Sequence, residues 1–198
     1  TNLTSADTYT LTTNVSAANT CFNITASHII LDCLGYNISY GSGGTGVGII
    51  AGPSLINVTI KNCVVVKSGN TGSDNYGIKF TSVSNSTILN NTIITNGTSG
   101  NYGIFTTSSG NNTIGGNTVY SAGTSNVYNT LLEYGSNTLF ENNTLLARGT
   151  SSTYGLYLSQ TALNKIYRNT INTSLAIGTT NLGIYVSSSS KNLIDHNT

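Results

Sequence analysis

A short phrase of alternating polar and apolar residues recurs along the chain. It reads Asn57-Val-Thr-Ile-Lys-Asn-Cys63, Asn85-Ser-Thr-Ile-Leu-Asn-Asn91, Asn111-Asn-Thr-Ile-Gly-Gly-Asn117 and Asn137-Thr-Leu-Phe-Glu-Asn-Asn143, with weaker copies beginning at Ser27, Leu163 and Lys191. Its central apolar residue falls at Ile30, Ile60, Ile88, Ile114, Phe140, Ile166 and Ile194, at successive differences of 30, 28, 26, 26, 26 and 28. Self-similarity at such a period marks a stacked repeat.

Each repeat offers three stretches of strand alternation: one after a Gly, as in Gly77-Ile78 and Gly103-Ile104, one around the anchor, and one after the phrase, as in Thr92-Ile-Ile-Thr95. In the third such position Asn129-Thr130 stands where Gly-Ile or, at Gly155-Leu156, Gly-Leu is otherwise found, and Tyr76, Tyr102, Tyr128 and Tyr154 precede these sites at a constant spacing of 26. No segment carries the i, i+3, i+4, i+7 pattern that helical repeats need, and a propeller blade requires about 40 residues or more. The pattern therefore predicts an all-β solenoid, a parallel β-helix of about seven coils of 26–30 residues with three short strands per coil.

Three positions beyond the anchors stand Cys33, Cys63, Asn91, Asn117, Asn143, Asn169 and Asn197. This column predicts a structural ladder at a turn, where Asn tolerates a left-handed backbone and its amide can bond to copies about 4.8 Å above and below. Cys33 and Cys63 share the column in adjacent coils, close enough for a disulfide; stacked buried thiols are the alternative. Residues 1–27 lack the phrase and are expected to cap the first coil of a single domain spanning 1–198, with repeat coils over 28–198. The last coil stops on the ladder turn at Asn197-Thr198, so the open face is met either by more chain or by another subunit.

Charge alters the picture chiefly by its scarcity: seven Lys plus Arg and six Asp plus Glu leave a net +1, while Asn, Thr, Ser and Gly supply the polar surface. No basic stripe points to nucleic acid, and no apolar run approaches the roughly 18 residues needed to cross a bilayer. Eleven Asn-x-Ser/Thr sequons occur, at Asn2, Asn14, Asn23, Asn37, Asn57, Asn85, Asn90, Asn96, Asn111, Asn142 and Asn172, slightly more than composition predicts. All but Asn2 and Asn14 are candidates for N-glycosylation in an extracellular setting.

The phrase Asn-x-Thr-Ile-x-x-Asn with a following Gly-Ile resembles the repeat of NosD-type and carbohydrate-associated right-handed parallel β-helix proteins. The run from Cys21 to Gly35, with Cys33 near its end, is similar to the opening coil of microbial surface members. The resemblance spans about Thr8 to Thr198. It implies the fold; lyases, hydrolases, binding proteins and structural proteins all share it, so function has to come from the site.

Alternation places Lys79, Phe105, Leu131, Tyr157 and Tyr185 in one outward column. Phe105, Leu131, Tyr157 and Tyr185 are the candidate contacts for carbohydrate or a partner; the competing reading is that the column only stabilises adjacent strands. Among the acids, Glu141 and Asp195 form the best pair, two coils and about 9.6 Å apart, with Tyr167 between them and Arg168 beside it. No acids cluster for calcium, no Cys-x-x-Cys suggests zinc, and His28 and His196 lie at opposite ends, so no cofactor or metal is expected. The resulting expectation is a non-enzymatic extracellular structural glycoprotein, cell-surface or filament-forming by head-to-tail stacking of β-helices on copies of itself, that carries glycans. The alternative is a carbohydrate-binding or carbohydrate-processing β-helix, with hydrolase or lyase chemistry as its extreme form.

Overall fold

The computed structural model describes residues 1–198. The chain winds as a parallel β-helix whose strands stack in three long sheets and one two-stranded sheet of Leu55–Ile56 and Val83–Ser84, with every ladder parallel and no α-helix. Sheet A has eight strands, among them Asn75–Thr81, Ser99–Thr107, Ser125–Glu133 and Ser152–Ser159. Sheet B, also of eight strands, carries the anchors in three-residue strands such as Thr87–Leu89 and Thr113–Gly115, and sheet C has seven, including Thr92–Asn96, Thr118–Gly123 and Thr144–Gly149. Short β-branched strands suit this architecture, because each half-buried pleat packs Ile or Val inward and Thr outward. Thirty buried side chains form one continuous core along the axis.

From Ile60 onward the anchors stack in register: Ile60, Ile88, Ile114, Phe140, Ile166 and Ile194 pair in succession. In the preceding coil the anchor is Leu31, which pairs with Ile60 and is fully buried, whereas Ile30 pairs with Thr59 and faces outward. The run Ile29-Ile30-Leu31 is apolar throughout, so alternation cannot fix its phase. Residues 1–27, expected as a cap, are themselves wound: Asn2–Leu3, Thr8–Thr10 and Val15–Ser16 add one parallel strand to each sheet, and Tyr9 occupies the anchor position against Leu31.

Cys33 and Cys63 are joined by a disulfide across adjacent coils, their Cα atoms 4.7 Å apart, while Cys21 is a buried free thiol. Because Cys33 lies two residues after Leu31, the turn Leu34–Tyr36 takes up the extra length before Asn37 pairs with Val64. Beyond Cys63 the column continues as an interior amide ladder. The Asn91 backbone N–H and Nδ2 both donate to Asn117 Oδ1 at 3.0 Å, and the pattern repeats from Asn117 to Asn143, from Asn143 to Asn169 and from Asn169 to Asn197. Each Nδ2 also donates to a carbonyl one coil back, as Asn117 does to Ile88 at 3.0 Å. The left-handed conformation expected of this column belongs instead to the residue before it: Asn62, Asn90, Gly116, Asn142, Arg168 and His196 all have φ between 50° and 63°. Those residues turn the corner, and the amide that follows them points inward.

A second ladder closes the other end of sheet B, where Ser86 N–H donates to Asn112 Oδ1 at 2.9 Å and Thr138 N–H to Asn164 Oδ1 at 2.8 Å. Buried polar groups normally need such partners. Glycine is required at Gly103, where a Cβ would collide with Val119 Cγ1 and the Asn129 carbonyl.

Candidate functional site

On sheet A each strand presents two outward residues flanking an inward pair; in Asn75–Thr81, Gly77 and Ile78 are buried while Tyr76 and Lys79 face outward. The strict register of the strands then stacks the tyrosines. Tyr76 and Tyr102 lie 4.7 Å apart between centroids at 7°, Tyr102 and Tyr128 4.9 Å at 3°, and Tyr128 and Tyr154 5.1 Å at 7°. Ring faces thus cover one another along the axis, so edges and hydroxyls meet solvent. The expected outward column runs beside them: Phe105 is 5.4 Å from both Tyr76 and Tyr102, and Tyr157 is 5.4 Å from Tyr154 and 4.8 Å from Tyr185, all tilted. Lys79 places its ammonium 4.4 Å from the Tyr76 centroid.

Leu131 departs from the expectation. It is in register between Phe105 and Tyr157 but only 7% exposed, because the larger rings on both sides close over it; it offers no contact to a ligand. Phe105 and Tyr157 are half-buried, and Tyr185 is 36% exposed. The four stacked tyrosines are the surface residues that the alternation argument missed, although their constant spacing was the signal. Burial pushes the Tyr102 and Tyr128 phenols up to about 12, helped by the neighbouring phenols, and raises Tyr76 as well.

The acids do not converge. Glu141, Tyr167 and Asp195 are successive partners in sheet B, so the tyrosine occupies the position between the two carboxylates. Lys165 and Arg168 lie 5.0 and 4.6 Å from the Tyr167 centroid, and His196 packs edge-on at 5.4 Å while its Nδ1 stands 2.8 Å from Asp195. A hydrolytic pair needs open space between its carboxylates for substrate and water. Asp32 is held below the usual carboxylate range mainly by a hydrogen bond from Asn62, at 3.0 Å, with Lys61 at 3.2 Å adding its charge. His28 Nδ1 faces the Asn57 amide at 3.2 Å. No group of three His, Cys, Asp or Glu side chains comes together as a metal site.

The sequence profile of right-handed β-helix regions matches residues 13–198. The chain belongs to the right-handed β-helix family. No curated protein matches its sequence. Among solved structures, the β-helix is similar to the enzymatically active domain of tailspike protein 2 from bacteriophage CBA120, with a TM-score of 0.58 and 13% identity over 89% of this chain and 32% of that one. It is also similar to the full-length tailspike protein 2 of an Escherichia coli bacteriophage, with a TM-score of 0.54 and 14% identity over 87% of this chain and 28% of the other. The β-helix spans less than a third of either protein, and at this identity the likeness is one of fold.

On the β-helix the sequons fall into distinct settings. Asn57, Asn85 and Asn111 form one exposed left-handed corner column in three successive coils, and Asn90 and Asn142 belong to a second, two coils apart with Gly116 between them. Asn172 is exposed, while Asn23, Asn37 and Asn96 are half-buried on strands. Corners of this kind aim the Asn side chain away from the core.

Proposed function

We propose that this β-helix is a non-enzymatic structural element of an extracellular or cell-surface glycoprotein, a stiff rod that carries N-linked glycans on its corners. The observation that carries this reading is the stacking of Tyr76, Tyr102, Tyr128 and Tyr154 face to face. A sugar platform needs free ring faces, whereas rings that cover each other reinforce the stacking of coils. The cross-coil disulfide agrees with an oxidising compartment.

The last coil presents Ile194 and Val186, each 42% exposed, where most of their counterparts in earlier coils are buried. In this reading they meet another copy. Electron microscopy and intact-mass analysis of material purified from its source test the proposal: rods or filaments with mass above that of the polypeptide are expected. Compact, unmodified monomers that cleave a polysaccharide would overturn it.

A carbohydrate-binding or carbohydrate-processing role is the second reading, favoured by the fold likeness to a tailspike's enzymatically active domain. It requires saturable polysaccharide binding that disappears when Phe105, Tyr157 and Tyr185 are replaced by Ala.

A further inference from the structure

Sheet C carries a shallow surface groove. Asn96, Ala122 and Arg148 are outward partners in three successive strands, so Asn96 and Arg148 stand at its two ends, separated by about two strand spacings, ~9.6 Å. Ala122 and Gly123 form the floor because they fill so little of the space between those ends. Tyr120, two residues before Ala122 and also outward, forms a wall, and Leu175 and Ile177 of the following coil's long turn form the far lip. The part beside Asn96 is an open depression of about 400 Å³. Arg148 has no acid within salt-bridge distance and makes no side-chain hydrogen bond within the chain.

Asn96 opens the sequon Asn96-Gly97-Thr98 at the edge of this groove. One hydrogen of its Nδ2 is used in a 2.8 Å bond to Asn70 Oδ1, which leaves the other free, and its Oδ1 has no hydrogen-bond partner. A glycosylated asparagine keeps one N–H, so the bond to Asn70 survives modification and holds the linkage at a fixed angle.

We infer that Asn96 carries an N-linked glycan whose first sugars lie in this groove, across Ala122 and against Tyr120, with Arg148 donating to sugar oxygens at the far end. Attachment joins Nδ2 to the anomeric carbon of a glycosyl donor bearing a pyrophosphate; the amide gives up one proton and the pyrophosphate leaves with the bonding pair. The aromatic wall covers the apolar face of a sugar, and the amide and guanidinium meet its hydroxyls. The exposed corners at Asn90 and Asn142 offer no comparable groove, so glycans there extend into solvent. This inference rests on the glycoprotein reading.

Glycopeptide mapping of the protein from its source, combined with timed peptide-N-glycosidase digestion of the folded protein, tests it. The Asn96 glycan is expected to be present and released about tenfold more slowly than that on Asn142, equivalent to about 1.4 kcal/mol of protection. In Tyr120→Ala, expressed in the same host, the difference should vanish while Asn96 stays occupied. Unmodified Asn96 beside occupied Asn90 or Asn142 would overturn the inference and leave the glycoprotein reading standing. An Asn96 glycan released as fast as the others would overturn the groove's role. A chain bare at every sequon would sink both.

Discussion

At the scale of single residues, the coil around Asn129 concentrates unpaired buried polar groups. Asn129 and Thr130 replace the Gly103-Ile104 and Gly155-Leu156 pairs of the neighbouring coils, and both atoms of the Asn129 amide and the Thr130 hydroxyl are buried without a partner in the chain. Each such group costs roughly 1–3 kcal/mol. Asn129→Gly and Thr130→Val should therefore each raise the thermal unfolding midpoint, with a gain of about 1–3 kcal/mol for Asn129→Gly. A loss of stability in Asn129→Gly would mean that the amide is satisfied by buried water. The stacked phenols make a second residue-scale prediction. The folded pKa values of Tyr102 and Tyr128 lie above the unfolded one, so the contribution of these two phenols to stability is complete below pH ~10 and is lost as pH rises toward about 12. An ultraviolet titration of the folded protein should show a late class of tyrosines ionising near 12; a single class ionising near pH ~10 would show that the stack is open to water.

At the scale of elements, the turns and ladders carry the specificity. The phase of most coils was legible because Thr-Ile-x strands alternate cleanly between Asn corners, and only the apolar run Ile29–Leu31 hid its register by one residue. Strands of two or three residues are too short to show alternation, which is why residues 1–27 read as a cap although they form strands of all three sheets. The ladder column was legible as a column but not in its geometry: the left-handed corner precedes the amide, and the amide faces the core. Asn117 both donates and accepts in that ladder, so Asn117→Ala removes one rung, leaves the Asn91 N–H unpaired and takes a donor from both the Ile88 carbonyl and Asn143 Oδ1. We expect a loss of about 2–5 kcal/mol by denaturant unfolding, since buried groups lose their partners on both sides. A cost below ~1 kcal/mol would show that neighbouring amides reorganise to close the gap.

At the scale of the whole molecule, the β-helix invests its polar and aromatic side chains in contacts between coils. Inside are amide ladders, outside is a double row of rings, and the disulfide joins two early coils. The outward aromatic column was legible from period and alternation. Its role was not, because whether a ring shows its face or its edge depends on the ring stacked above it, and because Leu131 is covered only by virtue of the bulk of Phe105 and Tyr157. The groove on sheet C escaped sequence reasoning for a similar reason: it arises from small residues, Ala122 and Gly123, flanked by larger ones a coil away.

The most direct test of the central claim, that the aromatic face is a seam and not a platform, is Tyr128→Ala measured for both stability and polysaccharide binding. Tyr128 stacks on Tyr102 and Tyr154 and lies 6.0 Å from the Tyr157 ring, so its removal breaks three ring pairs and uncovers half-buried apolar area. The account predicts a loss of about 2–4 kcal/mol in unfolding free energy with no change in affinity for any polysaccharide. Unchanged stability together with abolished polysaccharide binding would contradict it.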